Sequence, residues 1–236
     1  MLNISYIIPL ICFWQTITNE ISKYKQISVS NNIVSLFHCL LFMVHHTYNY
    51  NLDYAVHMSI SYYIHDLIYI FSFLYKMKLK DEFKTRFPFI VHHFIGIYLL
   101  KESLVGENKI QLLHGYNILE TSNIMLYISY HLHKEYPDYI RLNVVSEFFQ
   151  LLWYFYFRII HFSLFVYTNK MHFFQFKFTV KFVTTALYIM GIIWSCKLIK
   201  KNIKNYNMIK GLYEHGHVNG NGGSFSTLLD SKSNND

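Results

Sequence analysis

Long apolar blocks alternate with short polar stretches along the whole chain. The blocks predict seven helical spans, at residues 3–18, 30–50, 55–75, 87–105, 110–132, 144–168 and 175–198. At about 1.5 Å of rise per residue, most are long enough to cross a hydrocarbon layer of about 30 Å. The first is short and is open to three readings: a tilted span, a partly inserted one, or a cleaved signal sequence. It has no basic segment ahead of it and no convincing small-residue cleavage site, which favours retention.

Polar residues inside an apolar span turn toward protein or a wet cavity, because a bilayer core gives them no water. Side chains three or four residues apart share a helix face, and the polar positions follow that spacing. The second span carries Asn31, Ser35, His38, His45 and Asn49 on one face; the third carries Ser59, Tyr62, Asp66 and Tyr69. The fourth contributes His92, Gly96 and Ser103, and the fifth His114, Asn117, Glu120, Asn123 and Tyr127. The sixth gives Glu147, Gln150, Tyr154, Arg158 and His161, and the seventh Lys181, Thr184, Tyr188 and Ser195. The first span has no such stripe. Interhelical hydrogen bonding alone would explain scattered polar residues, but stripes of this length in six spans fit a shared polar cavity better. The predicted fold is therefore all-α: a polytopic transmembrane bundle of six helices around a polar cavity, with one peripheral N-terminal helix.

Asp66, Glu120 and Arg158 fall near the middle of their spans. A charged side chain there costs roughly 2.5–3.5 kcal/mol on insertion scales, so the three are expected to face inward. Arg158 would bridge one or both carboxylates, or water would be shared among them. His38 and Asn117 complete the expected cavity network.

Composition agrees with a membrane protein. Of 236 residues, 53% are hydrophobic and only 15% charged, against about 25% charged in a soluble domain. With Arg158 set aside, Lys and Arg divide 15 to 5 between the two sides when the N-terminus is placed outside. That bias fits the positive-inside rule with a cytoplasmic C-terminus. It accounts for most of the formal charge of +7, and no basic-aromatic motif calls for a nucleic-acid partner. Cys12, Cys39 and Cys196 fall inside spans without ligand spacing and read as buried apolar fillers. Residues 1–22 form the peripheral helix, 23–200 the main domain and 201–236 a disordered cytoplasmic tail rich in Gly, Asn and Ser toward its end.

The 14 histidines include the pairs His45-His46, His92-His93 and His131 with His133. The first pair lies at the external end of its span and the others at cytoplasmic ends, so they cannot share one metal cluster; no metal is expected. His92-His93 opens the fourth span just after Pro88, at the positive end of a helix. Neutral imidazole is a competent base or nucleophile near pH 7. Adjacent helical residues point about 100° apart, so one of the two is expected to face the cavity.

Taken in order, these segments resemble the TLC-domain family, the membrane domain shared by ceramide synthases, translocon-associated chain proteins and small lipid-linked proteins. The resemblance runs from about residue 24 to residue 200. It is carried by Asn32-Ile33-Val34-Ser35-Leu36-Phe37-His38, Ser59-Ile60-Ser61-Tyr62-Tyr63-Ile64-His65-Asp66-Leu67, Val91-His92-His93 with Ile97-Tyr98, Leu119-Glu120-Thr121-Ser122, Phe157-Arg158-Ile159 and Trp194. It implies six helices around a lipid-accessible cavity, with His92 and His93 as the catalytic pair of an acyl-CoA-dependent N-acyltransferase. Membrane lipids, acyl-CoA as co-substrate and a sphingoid amine would be the partners, with no resident cofactor. Ceramide synthases follow the double histidine with His-Asp and a further Asp. Here His114 is followed by Gly115, and Ile118 stands where the second acid is expected, which is closer to the small branch of the family. The alternative is accordingly a non-catalytic lipid-binding regulator of membrane composition, and a solute transporter is a third reading. Either of the first two places the chain in the endoplasmic reticulum or another internal membrane.

Overall fold

The computed structural model describes residues 2–77, 80–106 and 108–216. Among these residues every regular element is helical. Helix α1 (Ile4–Ser22) is capped by the Asn3 side chain, which accepts from the backbone N–H of Ser5 at 3.1 Å. Helices α2 (Ile27–Thr47) and α3 (Leu52–Met77) are joined by a tight turn. In it Asn49 and Asn51 take left-handed backbone angles, φ 49° and 41°, a conformation that asparagine tolerates better than most residues. Then come α4 (Lys80–Val105), α5 (Lys109–Thr121), α6 (Ile124–Glu135) and α7 (Ile140–Phe155). The last runs without interruption through a π-helical turn, Tyr156–His161, into α8 (Phe162–Thr168). A short α9 (Lys170–Gln175) leads to the long α10 (Phe178–Gly216).

Three stretches are long and apolar enough to cross a membrane: Ile27–Thr47, Ile140–Thr168 and Phe178–Asn207. Their outer faces suit lipid, since Phe148, Phe149, Leu152, Phe155, Tyr156 and Ile160 all point away from the protein. Apolar side chains in such a row would be a liability in water and are neutral in a bilayer. This is an all-helical membrane protein.

Helix α3 is the hub, packed on α1, α2 and α4. Its residues Ala55, Val56, Met58, Ile60, Tyr62 and Tyr63 are buried in the main apolar cluster, together with Trp14 of α1. The Trp14 indole N–H reaches both the Met58 carbonyl oxygen and Ser61 Oγ. Leu99, Ile118, Leu119, Phe162, Val180 and Leu187 form a second cluster joining α4, α5, α8 and α10.

Four details depart from the expected spans. Residues 110–132, read as one span, are broken at Ser122–Asn123, and neither α5 nor α6 alone reaches across about 30 Å. Pro88 lies inside α4, which already runs from Lys80; a proline forfeits one backbone bond without ending a helix whose other bonds hold. His92 and His93 are therefore well within the helix, away from its start. Helix α10 continues to Gly216, so residues 201–216, assigned to the disordered tail, are helical; Asn202 and Asn205 tie this extension to α7 through Glu147. Residues 217–236 lie outside the described residues. Finally, Cys12 and Cys196 are exposed on the protein's outer face, and only Cys39 is buried.

Candidate functional site

A layer of buried polar side chains from α2, α3, α4 and α5 gathers around two carboxylates. Its first centre is Asp66. One carboxylate oxygen accepts from the Asn31 amide at 2.6 Å, and the other meets His93 Nε2 at 2.5 Å. All three come from different helices, and Asp66 and His93 are buried. With Nε2 committed to the carboxylate, His93 Nδ1 is left buried and without a hydrogen-bond partner. An imidazole held by a carboxylate on one nitrogen and free on the other is the arrangement of an oriented general base.

The second centre is Glu120, at the end of α5. Oε1 accepts from the Tyr63 hydroxyl at 2.6 Å, and Tyr116 in turn donates to Tyr63 at 2.7 Å. Oε2 accepts from the Cys39 thiol at 3.1 Å. Cys39 is thus a polar partner of a buried acid, not the apolar filler its surroundings in the sequence suggested. His92 Nε2 lies 3.8 Å from Oε1, and His38 Nδ1 lies 4.0 Å from Oε2. Both histidines of the pair therefore point inward, each toward its own carboxylate, where one had been expected to. Their rings are 5.7 Å apart, and the Tyr63 ring lies 4.8 Å from that of His93. Gly96 makes this packing possible: a Cβ there would stand 2.4 Å from Tyr63 Cε2.

His38 is fully buried and stacks on Tyr62 at 4.1 Å between ring centres. Its Nε2 shares a hydrogen bond of 2.9 Å with Ser59 Oγ. Tyr62 donates to Ser35 at 2.7 Å, so the stripes of α2 and α3 face each other. Asn117, also expected in this network, is half-buried, and its amide oxygen has no hydrogen-bond partner among the described residues.

Arg158 does not bridge the acids. Among the described residues, it is joined to neither Asp66 nor Glu120; its Nε donates to Ser122 Oγ at 2.9 Å, and its guanidinium lies over the Tyr154 ring. Asp66 is already taken by His93 and Asn31, and Glu120 by Tyr63 and Cys39. The arginine serves the break between α5 and α6 instead. There the helix hydrogen-bond ladder is interrupted, and the Thr121 carbonyl is met by the Trp153 indole at 2.8 Å. Buried irregular backbone is tolerated where protein groups satisfy it in this way. Arg158 itself lies in the π-helical turn, a form often found at functional sites.

A cavity of about 360 Å³ opens onto the first centre, lined by Asn31, Ser35, Tyr62, Asp66, His93 and Tyr130, among others. A second, about 30 Å³, lies between His92, Asn123, Tyr127 and Arg158, room for about one water. A third, largely apolar, of about 450 Å³ lies between α8, α9 and α10 against Phe162, Val166, Phe173 and Tyr188. No family model, no curated protein and no solved structure matches this chain. The functional reading rests on the residues themselves.

The sequence had singled out His92, His93, Asp66, Glu120 and His38, and these lie together. It had missed Cys39, Tyr63 and Asn31 as their direct partners. Asn31 was legible as the first residue of the α2 stripe; Tyr63 was hidden, because the stripe drawn on α3 passes through its neighbour Tyr62.

Proposed function

We propose that this is a multi-pass TLC-type membrane protein in which α2, α3, α4, α5–α6, α7–α8 and α10 surround a polar cavity that receives a lipid or acyl group. Helix α1 flanks this bundle. The distribution of Lys and Arg supports a cytoplasmic C-terminus, and the resemblance supports an internal membrane such as the endoplasmic reticulum. The observation that carries the reading is the Asp66–His93 pair on the wall of the 360 Å³ cavity.

In the reaction that fits this pair, an amine attacks the carbonyl carbon of an acyl-CoA thioester. His93 Nδ1 takes the proton that the amine nitrogen loses as the C–N bond forms. Asp66 holds the ring and stabilises the imidazolium. The C–S bond then breaks, and the CoA thiolate leaves with that proton as the thiol, giving an amide and a neutral histidine. A positioned base of this kind contributes about 10²–10⁴-fold. His92, near Glu120, helps position this wall of the cavity.

Mass spectrometry of lipids copurifying with wild type and with His92→Ala/His93→Ala tests the reading first, followed by turnover of a long-chain acyl-CoA with a sphingoid amine in nanodiscs. Amide-linked lipid that disappears in the variant, with loss of turnover, supports acyl transfer. Identical bound lipid in both proteins, without turnover in either, would leave the non-catalytic lipid-binding regulator as the better reading.

A further inference from the structure

We propose that His38, Cys39 and Glu120 form a binding site for a single transition-metal ion, with Zn²⁺ the best chemical match. One nitrogen, one sulfur and one carboxylate oxygen from these three buried residues all lie within 4.8 Å of one another. Imidazole, thiolate and carboxylate together are a typical zinc donor set.

The hydrogen bonding around the trio supports a ligand role for each donor atom. His38 Nε2 is committed to Ser59 Oγ, while Nδ1 is fully buried, unpartnered and 4.0 Å from Glu120 Oε2. A metal-bound histidine characteristically donates its other N–H to such a partner, which fixes the tautomer and aims the free lone pair. Glu120 Oε1 is held by Tyr63, leaving Oε2 for the ion, and Cys39 Sγ stands 3.1 Å from that same oxygen. In a tetrahedral zinc site these donors would sit about 3.3–3.6 Å apart, so shifts of under about an ångström in side chains close the site.

Charge points the same way. Zn²⁺ displaces the Cys39 proton to solvent, and the complex of ion, thiolate and carboxylate is formally neutral. Three protein donors leave a fourth position for water or a substrate oxygen. His92 stands 3.8 Å from the other carboxylate oxygen and is not one of the three donors. The assignment is independent of acyl transfer, and its readout needs no activity.

The test uses full-length, tag-cleaved protein in detergent, in a Cys12→Ser/Cys196→Ser background so that Cys39 is the sole thiol. Metal analysis after Zn²⁺ loading and desalting is expected to find one ion per chain. Replacement by Co²⁺ should give a thiolate-to-cobalt charge-transfer band with the intense visible absorption of a tetrahedral site. Cys39→Ser should abolish the band and Glu120→Gln should release the ion, while Ser59→Ala should weaken Zn²⁺ binding about 10–100-fold. His93→Ala should leave both signals intact. Lack of stoichiometric zinc and of the cobalt band in monodisperse protein of that background would overturn the proposal, as would a band that survives Cys39→Ser. Because the cobalt spectrum of the background protein is decisive by itself, an unfolded ligand variant would not rescue the idea.

Discussion

Glu120 and Glu147 are equally buried, each about 2% exposed, yet they are neutralised by different chemistry. Glu120 sits deep in the layer between α2, α3, α4 and α5 and is held by a phenol, a thiol and nearby imidazoles. Glu147, midway along α7, is met by Lys201 at 2.9 Å, by His133, and by the amide of Asn205. Lys201 is half exposed, so it meets the acid while part of its side chain stays accessible. Among the described residues, no lysine is paired with Glu120. A cation delivered from the edge makes a tie between helices; uncharged donors assembled from within leave the acid available to a proton, an ion or a substrate. The kind of partner therefore separates these two carboxylates, although exposure does not.

The strongest way to break this contrast is through activity. His93→Ala and Asp66→Asn should each lower acyl transfer by about 10²–10⁴-fold, while Glu147→Gln should leave it unchanged in protein that stays monodisperse. Equal losses in all three would erase the distinction. Next comes stability, read as thermal unfolding in detergent. Glu120→Ala should cost about 2–4 kcal/mol, because it leaves a cavity and strands the Tyr63 hydroxyl. Glu147→Ala should cost about 1–2 kcal/mol, the scale of interhelical polar contacts in membranes, since Lys201 returns to water. A finer comparison uses glycines. Gly96→Ala pushes Tyr63 away from Glu120 and should cost about 1–3 kcal/mol. Gly191→Ala meets Arg158 Cδ at an ordinary 3.5 Å and should stay within about 0.5 kcal/mol of wild type. Smallest of all, Lys177→Ala removes an exposed pair with Glu102 and should not move the melting temperature measurably.

Much of this was legible in the sequence, for a physical reason. A polar residue in an apolar helix must face protein, so the stripes placed Asp66, Glu120, His38 and His92 on inward faces, while His93 lay one position off the stripe of its span. The stripes could not say which inward residues would meet. Asp66 pairs with His93 of α4 rather than with Arg158, because partner choice depends on the depth and rotation of helices that periodicity leaves free. The break at Ser122–Asn123 was silent for another reason: it contains no glycine or proline, and the apolar pattern continues across it. Its stability comes from Trp153 and Arg158, some thirty residues further along the chain. Cys39 was misjudged because a thiol among apolar neighbours in sequence gives no sign of a carboxylate arriving from another helix.

The π-helical turn at Tyr156–His161 has a consequence for the surface as well as for Arg158. Such a turn amounts to an α-helix carrying one residue too many, so everything beyond it is rotated by about 100° from where an uninterrupted helix would put it. That single surplus residue decides that Phe162 faces the interior while Leu164 faces outward. Deleting one residue from the turn would restore an ordinary helix. It would also swivel α8 as a unit, exchanging the side chains offered to lipid for those packed against α5 and α10.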